Sequence, residues 1–244
     1  MGKKPRTRVE KLSGFVYIAT LLSLILPIAF IIYCLVIWDD TVAAATGRAY
    51  SDYVLMLLQC LAGIVAIHLP TLFSRKFEIE MPVGLYIMYI LFLYAAIFLG
   101  EVRSYYYKVP YWDSILHGLS SMMTGFLGFM LVALLNRSEH THLTLSPFFV
   151  AMFAFCFSLT VGAVWEIYEF TGDLLFHTNM QKFILADGTV LIGQAALSDT
   201  MKDIIIDAAG ALLASAAGYF SLRSGKGWAS DLIATYSRKH PGKH

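Results

Sequence analysis

Six apolar stretches of about twenty residues, the length that crosses a bilayer as an α-helix, alternate with short polar segments along this chain. They run over residues 14–38, 53–73, 81–100, 113–135, 147–170 and 200–222. Hydrocarbon offers no water to free backbone groups, so each stretch is predicted to be helical throughout. The pattern predicts an all-α, polytopic membrane helix bundle of about six transmembrane helices, forming a single integral-membrane domain over residues 1–244. The first stretch follows a basic N-terminus, but it exceeds a signal-peptide core. Trp38-Asp39-Asp40 is also no small-residue cleavage site, so the stretch reads as a retained anchor. The longest connection, residues 174–198, carries apolar residues on either side of Asp187-Gly188, a pattern that predicts a short hairpin. That hairpin is either a lid over a site or a surface ribbon.

Polar positions inside the last three spans break the apolar pattern at helical spacing. Asp199, Asp203 and Asp207 recur every four residues and so share one helical stripe, continued by Gly210, Ala214 and Gly218. Asp207 lies roughly 12 Å along the axis from Asp199, at 1.5 Å per residue. Asp199 reads as a helix N-cap; Asp207 is too deep for that role. Ser158, Gly162, Glu166, Glu169 and Asp173 share a face of span five, and Asp113, His117, Ser121, Thr124 and Gly128 share one of span four.

Each ionised carboxylate near a membrane-helix centre costs about 2.5–3.5 kcal/mol on insertion scales, and several facing one another repel. A bound cation neutralises them and takes their oxygens as ligands. The candidate metal ligands are His117, Glu166, Glu169, Asp199, Asp203 and Asp207. Asp113 is placed one turn before His117 to orient it, and His117, Asp113 and Glu169 are the candidate catalytic acid–base groups. One histidine among carboxylates suits a divalent metal, Mg²⁺ or Mn²⁺ ahead of Zn²⁺ or Ca²⁺. The Glu-x-x-His signature of carboxylate di-iron helices is missing. His68, in span two, lies away from this layer and reads as packing.

Composition agrees with a membrane protein, at 58% hydrophobic and 14% charged residues. A formal net charge of +1 gives no reason to expect a nucleic-acid partner. Cys34, Cys60 and Cys156 all fall in apolar spans and form neither a metal pair nor a disulfide framework. Lysine and arginine in the flanks set orientation. Thirteen of them (Lys3, Lys4, Arg6, Arg8, Lys11, Arg75, Lys76, Arg137, Arg223, Lys226, Arg238, Lys239 and Lys243) lie on the side of both termini. Only five lie opposite: Arg48, Arg103, Lys108, Lys182 and Lys202. Both termini are therefore expected in the cytoplasm and the acidic layer on the extracytoplasmic side. Eight of the 17 acidic residues fall in that layer: Glu101, Asp113, Glu166, Glu169, Asp173, Asp199, Asp203 and Asp207. Tyr105, Tyr106, Tyr107, Tyr111 and Trp112 form an aromatic segment beside it. They read as a headgroup belt, or else as a rim gripping a lipid headgroup.

The order Asp113-x3-His117, Glu166-x2-Glu169, Asp199-x3-Asp203-x3-Asp207 followed by Ala208-Ala209-Gly210-Ala211 resembles the YjdF-like family of uncharacterised bacterial inner-membrane proteins. The likeness runs from Tyr111 to Gly218. It implies a bacterial multi-spanning membrane protein with a polar site, and it brings no established activity. Asp-x3-Asp also occurs in CDP-alcohol phosphotransferases, but the preceding Asp-Gly-x2-Ala-Arg element is absent. The functional expectation is a metal-dependent hydrolase or transferase acting on a lipid-linked small molecule in contact with membrane lipids. The alternatives are a cation or proton-coupled transporter and a non-catalytic structural membrane protein.

Overall fold

A computed structural model describes residues 8–77, 81–135 and 145–231, with Arg75 and Phe77 described by backbone alone. Among these residues the elements are α1 (Arg8–Val36), α2 (Asp40–Thr46), α3 (Tyr50–Ala66), α4 (Leu69–Phe77), α5 (Val83–Leu93), a π-helical segment (Tyr94–Val102), α6 (Tyr105–Lys108), α7 (Trp112–Leu135), α8 (Pro147–Phe176) and α9 (Gln194–Ser224). Six helical stretches are long and apolar enough to cross a membrane: Arg8–Val36, Tyr50–Ser74, Val83–Val102, Trp112–Leu135, Pro147–Phe176 and Gln194–Ser224. The protein is thus an all-α, polytopic membrane protein. Lys3, Lys4, Arg6, Arg137, Arg238, Lys239 and Lys243, on which the orientation expectation leans, lie outside the described residues.

Two element ends differ from the sequence expectation. Helix α9 starts at Gln194, five residues before Asp199, with Gly193 at φ 61° as its N-cap. Asp199 is therefore not the cap, because Gln194-Ala195-Ala196-Leu197-Ser198 holds good helix formers that carry the helix upstream. Helix α8 runs on to Phe176, past the span end expected at residue 170, and keeps Asp173 in its last turn. The π-helical segment had no counterpart in the hydropathy pattern. The aspartate that does cap a helix is Asp39, whose carboxylate accepts from the Thr41 and Val42 amides at 3.0 Å each.

The chain groups into two compact units, one drawn from Met1–Leu116 and Glu169–Leu191, the other from His117–Tyr168 and Ile192–His244. In the first, α1, α3, α5 and the π-helical segment pack around Leu24, Ile31, Tyr53, Met56, Cys60, Ile67 and Ile90. The opposite faces keep large apolar side chains exposed, among them Phe15, Leu26 and Phe30 on α1, as lipid-facing helices do. Cys34 and Cys60 are buried, whereas Cys156 on α8 is exposed.

In the second unit, glycines let α7, α8 and α9 approach closely. A methyl group at Gly128 would lie 2.8 Å from the Ala154 Cα, and one at Gly125 would lie 2.9 Å from the Ala214 Cβ. The ring of Phe129 fills the space beside Gly218. Trp228 then packs on Phe126 and Phe129, with ring centroids 4.7 and 5.1 Å away.

Candidate functional site

His117 sits near the start of α7, where α8 brings Glu166 and α9 brings Asp203 and Asp207 beside it. All four side chains are buried, with exposures of 6% for His117, 4% for Glu166, 6% for Asp203 and 1% for Asp207. The two ring nitrogens face different carboxylates. His117 Nδ1 lies 3.2 Å from Asp207 Oδ2, and Nε2 lies 3.6 Å from Glu166 Oε1. Asp203 offers an oxygen within 4.8 Å of a ring nitrogen of His117. Asp113 precedes His117 by one turn of the same helix.

Local sequence explains the arrangement. The four-residue step between Asp203 and Asp207 aligns both on one face of α9. Gly162 clears the space on α8 that the Asp207 carboxylate occupies. Gly210 does the same on α9 for the Ser121 hydroxyl and the Gly118 carbonyl, the latter 2.9 Å from where a methyl would sit. One turn inward lie hydroxyls. Ser121 donates to the Gly118 carbonyl at 3.0 Å, and Ser158 donates to the Ser121 carbonyl at 2.7 Å. Thr124 Oγ1 lies 2.8 Å from Ser158 Oγ. One atom stands out chemically. Asp207 Oδ1 is buried with no hydrogen-bond partner, although an unmet buried acceptor costs about 1–3 kcal/mol.

Three further acidic side chains of the sequence pattern lie on α8 and α9. Asp199 is half-buried in the second turn of α9. Glu169 belongs to the first unit, where its charge supports Lys182. Asp173 is spent on the connection: its carboxylate accepts from Thr178 Oγ1 and the Met180 amide at 2.7 Å each, and from the Gln181 amide at 3.0 Å.

That connection is built as follows. Asn179 accepts from the Ile184 amide at 3.0 Å and donates to the Ile184 carbonyl at 2.7 Å and to Tyr107 at 2.9 Å. Beyond it, Ile184 pairs with Val190 in an antiparallel bridge. Leu185 donates to the Thr189 carbonyl at 2.9 Å around Ala186-Asp187-Gly188, with Gly188 at φ 84°. A positive φ at the last residue of a three-residue turn is a glycine position.

Sequence reasoning missed the ion pair that anchors this connection. Lys182 Nζ lies 2.5 Å from Glu101 Oε1, both nearly buried, at the end of the π-helical segment. The ammonium also faces the rings of Tyr106 and Tyr107, 4.6 and 5.5 Å from their centroids. Two tyrosines of the aromatic segment therefore cage a lysine of the same unit. Burial by itself would push the Lys182 ammonium down. The charges of Glu101, Tyr107 and Glu169 and the Glu101 hydrogen bond outweigh it and hold the group above its ordinary value.

With this geometry in view, a family model described as "Predicted membrane protein (DUF2238)" matches residues 18–224. The chain belongs to the DUF2238 family. The match takes in five of the six apolar stretches and most of the first, a wider range than the residues from Tyr111 to Gly218 that carried the sequence likeness. A protein of Thermotoga maritima, described as uncharacterized, is 30% identical over 115 residues, covering 46% of this chain and 50% of the relative. This DUF2238 chain thus spans about half the length of the curated relative it matches. No solved structure matches it.

Proposed function

We propose that the His117 cluster binds a divalent metal, and that the protein uses it as a hydrolase or transferase on a lipid-linked substrate. One observation carries the reading: His117 Nε2 and Glu166 Oε1 stand 3.6 Å apart while Asp207 holds the opposite ring nitrogen at 3.2 Å. Donors sharing an ion with bonds near 2.1 Å stand about 3.0 Å apart at an octahedral edge and about 3.4 Å apart at a tetrahedral one, so a small closure lets this pair hold either. A carboxylate on the far nitrogen fixes the ring and its tautomer, as at many metal-bound histidines. In this reading Nε2, Glu166 and Asp203 are ligands, and Asp207 orients the ring. Asp199 and Glu169 are then left out of the ligand set.

One imidazole nitrogen among several carboxylate oxygens favours Mn²⁺ or Mg²⁺, with Zn²⁺ or Ca²⁺ as the other candidates. Such an ion would lower the pKa of a bound water and polarise a phosphoryl or carbonyl oxygen. A site on membrane-spanning helices is reached most directly by a substrate carried in the lipid, which supports the lipid-linked class. The basic flanks of the sequence support both termini on the cytoplasmic side of a bacterial inner membrane and the cluster on the extracytoplasmic side, and a sequence without an internal repeat or low-complexity linker supports a single domain. The flanks also put the 174–198 connection on the extracytoplasmic side. The finer likeness to YjdF-like proteins belongs to the same proposal.

The test is metal content by mass spectrometry on purified protein, wild type beside Glu166→Gln/Asp203→Asn. About one ion per chain, lost in the double variant, is expected. Metal-free wild type after incubation with Mg²⁺, Mn²⁺ and Zn²⁺ would leave proton transport or a structural carboxylate network as the better account.

A further inference from the structure

Gln59 sits on α3, tenth of the 25 residues in the apolar stretch Tyr50–Ser74, about 5 Å along the axis from its midpoint at 1.5 Å per residue. That depth is hydrocarbon, where an amide finds no water to bond. Among the described residues Gln59 has no hydrogen-bond partner, and its side chain is half-buried rather than enclosed. Polar groups of the same unit are already paired. Tyr89 donates to the Ala66 carbonyl at 2.8 Å, and the Tyr17 hydroxyl lies 3.3 Å from His68 Nδ1. Gln59 borders an open face of α3. Leu58, Leu61 and Val65 are exposed there, and Ala62, one turn after Gln59, is exposed and small. Exposed leucine and valine are ordinary on a lipid-facing helix. A primary amide beside them is not, because lipid tails offer it neither donor nor acceptor.

We infer that this face of α3 is a homodimer interface, in which the Gln59 amides of two copies bond each other across a two-fold axis along the membrane normal. Symmetry and the chemistry of the amide name the occupant. Two copies inserted the same way bring Gln59 to the same depth, and each amide carries both donors and an acceptor, so the pairing is reciprocal. A different protein would need a polar side chain of its own at that depth, whereas a second copy has one already. Ala62 lets the two helices approach closely, as small residues do between membrane helices. The interface goes beyond the metal reading and does not depend on it, since Gln59 belongs to the first unit and His117 to the second.

The experiment measures the mass of the full-length protein in detergent by sedimentation equilibrium, beside disulfide crosslinking of Ala62→Cys in isolated membranes. Cys156, which is exposed, is replaced by serine in the crosslinking background. A wild-type dimer is expected. Gln59→Leu should raise its dissociation constant at least about tenfold, the scale of one or two interhelical hydrogen bonds. Gln59→Asn keeps an amide and should fall between the two. Ala62→Cys should crosslink into dimers, and Leu213→Cys, on an exposed face of α9, should not. A monomeric wild type that gives no Ala62→Cys dimer in membranes overturns the interface. So does a Gln59→Leu dimer as tight as wild type, or crosslinking through Leu213→Cys in place of Ala62→Cys. If Gln59→Leu fails to fold, the crosslink decides by itself. Metal-free protein that dimerises through Ala62 sinks the divalent reading and keeps this one.

Discussion

Replacing Lys182 by methionine keeps the aliphatic stem and removes the ammonium that Glu101, Tyr106 and Tyr107 surround. The pair is 2.5 Å long, with side-chain exposures of 12% and 10%, so little solvent can replace the lost charge. Breaking a buried ion pair from one side costs about 3–5 kcal/mol, because the other charge stays buried. The two ring contacts add about 1 kcal/mol. Residual exposure moves the expected loss to the lower end, about 3 kcal/mol, or a fall in the unfolding midpoint on the order of 10 °C for a chain of this size. Glu101→Gln/Lys182→Met removes both charges and should recover a large part of that loss, giving a coupling of about 2 kcal/mol in a double-mutant cycle.

The pH dependence has a definite sign. Lys182 is held above its ordinary value in the fold, so its contribution is full below the unfolded lysine value of about 10.4 and fades as pH rises through the folded value. The gap between wild type and Lys182→Met should therefore be flat from about pH 6 to 9 and close only in strong alkali. Thermal unfolding in detergent at fixed scan rate measures all of this. Strictly additive single variants, or a gap that closes below pH 8, would refute the argument that Glu101 and Lys182 depend on each other.

Two further substitutions probe the neighbouring elements. Gly162→Ala places a methyl on the Asp207 carboxylate. It should cost about 1–3 kcal/mol through overpacking and reduce bound metal, both read on one purified sample; metal retention equal to wild type would separate the notch from the site. Asp173→Ala removes the acceptor for the Thr178 hydroxyl and the Met180 and Gln181 amides. It should cost about 2–3 kcal/mol and make residues 177–191 a preferred protease target, and unchanged cleavage would contradict the anchoring role.

The six spans were legible because hydrocarbon imposes one solution on an apolar run of that length. The acidic stripes were legible for a related reason, since a four-residue step fixes a shared helical face whatever the tertiary structure does. What the stripes could not reveal is how each carboxylate is used. Asp173 and Asp207 look alike in sequence, one turn or more from other acids. Asp173 caps three donors of a connection, whereas Asp207 holds a ring nitrogen. Asp199 was misread because a helix start depends on a glycine six residues upstream as much as on a nearby aspartate. Lys182 was seen only as a loop charge, since nothing local signals a partner 81 residues away. The π-helical segment is equally silent in hydropathy, because an extra residue in a turn leaves an apolar run apolar.

Within the second unit, the glycine notches carry an argument about what its polar cluster is for. From one end of these helices to the other, the spaces beside glycines are taken first by a carboxylate at Gly162, then by a hydroxyl and a carbonyl at Gly210. Alanines follow at Gly125 and Gly128, and the Phe129 ring comes last at Gly218. A conduction path needs polar atoms at every level. Among the described residues of this unit, the buried polar side chains past the hydroxyl layer are Ser215 and Ser221, and Trp228 packs against Phe126 and Phe129 at that end. A binding site needs the reverse: donors gathered at one level, held by close backbones, with a packed floor beneath. The gradient in this unit fits the second requirement, and it supports the proposal of ion binding at His117 over flux through these three helices.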